Sequence, residues 1–211
     1  MDGLLVDSEP IWTIAEHELF ARWGQQFTPV MKAAIVGQRM DVAVPKLISL
    51  AGPAAAGADV TEVTAWLLAR MVELFGDGVP LQPGAQVLLA NLATAGVPQA
   101  LVSSSFRVLV DAVLRGLPDH PFAVSVAGDE VARSKPDPEP YALAAKKLDV
   151  AATDCVVLED STAGCRAGAA AGARVVYCPS VVGSGAPEPG WRYVHNLQAV
   201  SLSWLSAWPV D

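Results

Sequence analysis

The sequence predicts an α/β protein in which a parallel sheet follows an all-helical unit. Three observations carry this expectation. From Gly84 onward helical stretches alternate with short apolar runs, the pattern of βαβ units in a parallel sheet. Residues 11–76 instead carry helical spacing throughout and contain no convincing strand. The apolar runs of the second half also end in polar residues, which collects them on one rim of the sheet.

Taken in order, Met1 to Pro10 sets an acid and a glycine at the start, then turns into a helix that Asp7 or Ser8 would cap. Apolar residues Ile11, Ile14, Ala15, Leu19 and Phe20 fall mostly at helical spacing, and Gly24 ends the run. Further helices are expected near Pro29 to Val36, Asp41 to Leu50 and Asp59 to Phe75. In the second half, helices are expected at 84–95, 106–115, 138–148 and 162–171, with strands at 99–102, 122–127, 155–158 and 174–177. The Pro- and Gly-rich stretch 179–190 reads as a loop, and the tail from Leu197 as one last short helix.

Composition narrows the function classes. A chain of 211 residues is long enough for one large hydrophobic interior, and 52% of it is hydrophobic. No apolar run approaches the ~18 residues a membrane span needs, so no membrane partner is expected. A net charge of -8 argues against nucleic acid, whose backbone binds clustered Lys and Arg. A small phosphorylated ligand remains compatible. Cys155, Cys165 and Cys178 have no ligand-like spacing and read as reduced thiols of a cytoplasmic protein. No positively charged leader precedes an apolar region at the amino end.

The chemistry is expected at two strand ends and one loop. Val156-Val157-Leu158 runs into Glu159-Asp160, two adjacent carboxylates that repel unless a cation lies between them. All-oxygen ligation with room for water suits Mg²⁺; the plain alternative is a turn that caps the next helix. Ser103-Ser104-Ser105 places hydroxyl and backbone donors before a helix, which suits an oxyanion, although one serine would suffice as an ordinary cap. Lys135 lies in Ser134-Lys135-Pro136-Asp137-Pro138, where prolines stiffen the chain around an ammonium; a rigid lead into a helix is the alternative.

Asp2-Gly3 with Leu5-Val6-Asp7-Ser8-Glu9, Leu101 to Ser105, Ser134 to Pro138, and Leu158 to Ser161 with Gly164 and Gly168 together resemble the four ordered motifs of the haloacid dehalogenase superfamily. The nearest subgroup is that of β-phosphoglucomutase-like sugar-phosphate phosphatases. The resemblance spans nearly the whole chain and implies a Rossmann-like core, residues 1–10 and 77–211, with an inserted helical cap, residues 11–76. It implies that Asp2 is the general acid/base, with its backbone carbonyl on Mg²⁺. It also implies that Ser103 and the backbone of Ser104 bind the phosphoryl group, that Lys135 neutralises it, and that Asp160 holds the metal with Glu159 directly or through water.

One departure stands at the amino end. The family's first motif reads Asp-x-Asp-Gly, and its first Asp becomes the aspartyl phosphate. Met1 occupies the x position, so the nucleophile and the first core strand are expected before Met1, on about a dozen upstream residues. The cap is expected to choose the substrate through Glu9, Trp12 and His17, with Arg39 beside Gly37 reaching toward phosphate or hydroxyls; a surface arginine is the alternative. His17, His120, His195, Trp191, Trp204 and Trp208 read as packing residues. The expected activity is Mg²⁺-dependent hydrolysis of a small phosphorylated metabolite, a hexose or deoxyhexose phosphate, by a monomer or weak dimer. A phosphosugar mutase and a non-catalytic phosphate- or metal-binding protein are the alternatives.

Overall fold

The computed structural model describes residues 1–117, 119–180 and 187–208. Its first helices are α1 (Glu9–Arg22), α2 (Pro29–Ile35), α3 (Met40–Ala51) and α4 (Val60–Gly76), all four where helical spacing placed them. Local chemistry explains their ends. Thr28 accepts the Met31 amide and Asp59 accepts the Thr61 and Glu62 amides, so α2 and α4 start on side-chain caps. Ser8 holds the cap position of α1, yet its hydroxyl makes no cap bond. It is engaged elsewhere, with consequences for the site.

The second half alternates as expected: α5 (Ala85–Thr94), β1 (Gln99–Val102), α6 (Arg107–Arg115), β2 (Phe122–Val126), α7 (Glu139–Leu148), β3 (Val156–Glu159), α8 (Thr162–Ala170) and β4 (Arg174–Tyr177). Two features differ from the sequence reading. A short strand β5 (Arg192–Tyr193) pairs in parallel with β4, close after the stretch read as loop. Two residues, one of them an arginine, are too few to register as a periodic run, so only the neighbouring edge makes them a strand. Residues 181–186 of the expected 179–190 loop lie outside the described residues. The tail ends in α9 (Leu202–Ser206), the expected short helix.

The second difference is that the parallel strands form two sheets rather than one. β1 pairs with β2, and β3 pairs with β4 and then β5. Between the free edges of β1 and β3 runs an apolar cleft of about 440 Å³. One hydrophobic core otherwise runs through both halves, from Leu19, Phe20, Leu47, Leu67, Met71 and Phe75 in the helical part to Val6, Leu109, Val110 and Val113. Helix α4 packs on α1 and α6, joining them. A second, smaller cluster holds Cys165, Val175 and Tyr177 under Trp191.

Candidate active site

The site is built where β1 and β3 end, so strand direction alone brings Ser103 and Glu159 to one rim. Ser103 is buried and its hydroxyl accepts the Ser105 amide at 3.0 Å. None of the three serines caps α6; Phe106 holds that position and the Arg107 amide donates to Asp129 instead. The ordinary-cap explanation for the serines therefore fails. Ser105 donates to Asp2 Oδ2 at 2.8 Å, while Ser8 donates to Asp2 Oδ1 at 2.7 Å. Both oxygens of Asp2 are thus fixed by hydroxyls from residues 6 and 103 positions away.

Asp2 sits in a tight turn, with Gly3 donating to the Val6 carbonyl at 2.9 Å. Gly3 has φ of +74°, and a Cβ there would lie 2.1 Å from Asp160 Oδ2. Glycine is needed on both counts, and the close approach is what brings the first residues against the carboxylates of β3.

Glu159 is buried and heavily engaged. Its Oε1 accepts from Lys135 Nζ and from the Tyr141 hydroxyl, and its Oε2 accepts from Ser161 Oγ at 3.0 Å. Gly164 packs so closely that a Cβ would lie 2.0 Å from this carboxyl. Burial opposes its charge, but the Lys135 ammonium, the terminal ammonium of Met1 and the donated hydrogen bonds hold its pKa down at about 2. Asp160 behaves oppositely. Burial and the neighbouring Glu159 charge push it up to about 6, against the terminal ammonium and one hydroxyl donor, Ser180, at 2.8 Å. The Lys135 ammonium also donates to the Val102 carbonyl at 3.4 Å and faces the Tyr141 ring at 4.9 Å, which ties β1, α7 and β3 together.

Asp2, Ser103, Lys135, Glu159 and Asp160 therefore meet at the end of the cleft between the sheets, with the Ser104 backbone beside them against Gly128. Glu9 lies one residue beyond Ser8 but pairs with Lys32 at 2.8 Å, alongside buried Glu16. Arg39 pairs with Asp41 at 3.1 Å in an exposed position. His17 packs on Phe27, His120 on Phe122 and His195 on Tyr193, and Trp204 lies under Arg192. Cys155, Cys165 and Cys178 are free thiols.

Three contacts of the site carry no motif in the sequence: Tyr141 lies in the first turn of α7, just after the Lys135 loop, Ser180 follows β4, and Ser8 stands at a helix-cap position.

For a metal, no three His, Cys, Asp or Glu side chains converge among the described residues. A dication here would draw on Asp160, a backbone carbonyl of the Asp2 turn and water, with Glu159 behind them. That donor set fits Mg²⁺, which keeps several waters and takes one or two carboxylates. The half-buried Asp160 carboxyl, beside the Glu159 charge and with the Ser180 hydroxyl as its side-chain donor, is the observation that calls for a cation.

A parallel-sheet fold with an acid, serine hydroxyls, a buried lysine and paired carboxylates on one rim defines the class. Comparison with known proteins narrows it. The family model for haloacid dehalogenase-like hydrolases matches residues 1–172, and the chain belongs to that family. Hexitol phosphatase B of Escherichia coli O157:H7 is 32% identical over 98% of this chain and 92% of its own length. The bifunctional riboflavin kinase/FMN phosphatase of Arabidopsis thaliana is 30% identical over 86% of this chain, which spans only 47% of that larger protein. Among solved structures, CbbY from Rhodobacter sphaeroides in complex with phosphate superposes with a TM-score of 0.82, at 27% identity and over 98% of this chain and 96% of that one.

Proposed function

We propose that this hydrolase is a Mg²⁺-dependent phosphatase of a small phosphorylated metabolite, a hexose or deoxyhexose phosphate. The carrying observation is that Asp2, with both oxygens fixed by Ser8 and Ser105, lies on the same rim as Lys135 and the Glu159–Asp160 pair. Relatives named as hexitol phosphatase and a phosphate-bound structural neighbour support the substrate class.

Phosphoryl transfer needs little beyond positioning and neutralisation of charge. Ser103 and the Ser104 backbone hold the phosphoryl oxygens, and Lys135 offsets their negative charge. Asp160, the Asp2 carbonyl and, through water, Glu159 would hold Mg²⁺, which when bound supplies further charge neutralisation. In the aspartyl-phosphate chemistry that the motif resemblance implies, a carboxylate attacks phosphorus as the bond to the sugar oxygen breaks. Asp2 gives its proton to that oxygen. It then takes a proton from water as the water releases phosphate from the carboxylate. The helical unit of residues 11–76 would act as a cap that selects the sugar, with Glu9 and Arg39 as its contacts, and the chain would act as a monomer or weak dimer in the cytoplasm.

The test is phosphate release from p-nitrophenyl phosphate and a panel of sugar phosphates. It compares the 211-residue chain with one extended upstream by an apolar segment ending in Asp. Turnover is expected only in the extended chain and only with Mg²⁺. A folded extended chain that releases no phosphate from any substrate would overturn the reading. A second reading, a phosphosugar mutase, is separated in the same assay by transfer to a sugar hydroxyl in place of free phosphate.

A further inference from the structure

Helix α6 starts without help from the residues that lead into it. Phe106 holds the cap position with no side-chain cap bond, and the first turn carries no acidic residue. A helix start leaves amides that need partners from elsewhere. Here the loop after β2 supplies one. Asp129 Oδ1 accepts the Arg107 amide at 2.8 Å, while Gly128 donates its own amide to the Ser105 carbonyl at 2.8 Å.

These two contacts hold the chain on both sides of Phe106. Gly128 lies so close that a Cβ would stand 2.2 Å from the Ser104 carbonyl oxygen, so any drift of this loop moves the serines. The loop is itself held. Glu130 accepts the Ala127 amide at 2.8 Å and one nitrogen of the Arg107 guanidinium, whose Nη1 donates to Ser125 Oγ at 2.9 Å and to Asp111 at 3.1 Å. Farther along the same segment, Glu139 accepts the Ala132 and Arg133 amides at 2.8 and 3.0 Å, which closes the loop that carries Lys135. One segment, 127–139, therefore fixes both the serines and the lysine that the phosphatase reading places on the phosphoryl group.

Asp129 is oddly placed for such a site. It is exposed, and its carboxylate meets an amide rather than a cation. It puts a negative charge at the amino end of the helix that follows the serines, where a bound anion would otherwise be favoured. Charge alone makes it a hindrance to a phosphoryl group; geometry makes it useful. With the Arg107 amide taken by Asp129, the Ser105 hydroxyl stays on Asp2 and the Ser103 hydroxyl stays on the Ser105 amide within the loop. We propose that Asp129 is a positioning residue of the phosphoryl site: taking the first amide of α6 from outside the helix, it sets where Ser103 and the Ser104 backbone stand, and it touches no reacting atom. The inference rests on the phosphatase reading, since that reading assigns the serines to the phosphoryl group.

The experiment titrates inorganic phosphate, with Mg²⁺ present, into the 211-residue chain and into its Asp129→Ala and Asp129→Asn variants by calorimetry, with far-UV circular dichroism as the check of folding. Charge and position predict opposite signs. Asp129→Ala removes a negative charge, yet it is expected to weaken phosphate binding at least roughly fivefold, the weight of one helix cap. Asp129→Asn keeps an oxygen acceptor without the charge and is expected to bind within about twofold of the unchanged chain, or more tightly. Amide exchange at Arg107 is expected to quicken in Asp129→Ala and to stay slow in Asp129→Asn. Equal or tighter phosphate binding by Asp129→Ala would overturn the proposal, and so would an Asn variant as weak as the Ala one. Should Asp129→Ala fail to fold, the Asn variant decides alone: affinity at or above that of the unchanged chain supports the proposal, and weaker affinity overturns it. An unchanged chain that binds no phosphate would overturn the phosphatase reading itself, and this proposal with it.

Discussion

The helical half of this molecule satisfies itself, whereas the sheet half is completed only by groups distant in sequence. In the helical half, Leu67, Met71 and Phe75 are spaced four apart on α4 and fully buried, and charged groups pair within the same half, Lys32 with Glu16 and Arg70 with Glu18. In the sheet half, Asp2 depends on Ser105, Glu159 on Lys135 and Tyr141, and β1 and β3 face each other across an apolar cleft. Helices form their own backbone bonds, while each strand borrows its partners, so an α/β site concentrates its dependence on contacts far apart in the chain.

The comparison is broken most sharply at the rim. In a chain extended upstream and active on a phosphorylated substrate, Asp160→Asn is expected to abolish Mg²⁺-dependent turnover while far-UV circular dichroism and Tm stay unchanged. Asp2→Asn is expected to lower kcat by roughly 10²–10⁴, the usual contribution of a positioned acid/base. An unchanged rate in either variant would remove that residue from the site.

Next in size comes Lys135→Met, which leaves the buried Glu159 carboxylate without its ammonium. With side chains only 8% and 7% exposed, loss of this partner is expected to cost about 3–5 kcal/mol in urea unfolding. Lys32→Met asks the same of the helical half, where Lys32 is 19% exposed and Glu16 6%. A cost of about 2–3 kcal/mol is expected, since Glu9 and partial exposure soften the loss. Burial, opposed by Lys32, already raises Glu16 above its ordinary value of 4.5. Its protonated form is the one the fold favours, so the penalty is absent below that value and grows as pH rises through the folded-state pKa. Removing Lys32 raises the pKa further, so the Tm deficit of the variant should be larger at pH 8 than at pH 5. A deficit independent of pH would show that Lys32 acts through packing.

Tyr141→Phe removes one donor to a carboxylate that keeps three others, and about 1–2 kcal/mol is expected in the same unfolding assay. Arg39→Ala is the smallest for stability, within about 0.5 kcal/mol for an exposed residue. It sharpens the comparison through kinetics: a raised KM for a sugar phosphate with kcat unchanged would make the helical half a contributor to binding, and no change would return Arg39 to the surface.

By itself the sequence determined where helices and strands lie, because amphipathic spacing and caps such as Asp59 and Thr28 act within a few residues. It also made four polar clusters legible, because each stands at the end of an apolar run or among prolines. Only the tertiary structure decided that Ser8 serves Asp2 rather than its helix, that Tyr141 and Lys135 share one oxygen of Glu159, that Ser180 reaches Asp160, and that Arg192–Tyr193 extends a sheet. Those contacts join residues separated by other elements, and no local preference records which hydroxyl a carboxylate will meet. The split between β1–β2 and β3–β4–β5 belongs with them, since strand order is written in pairings rather than in any single strand.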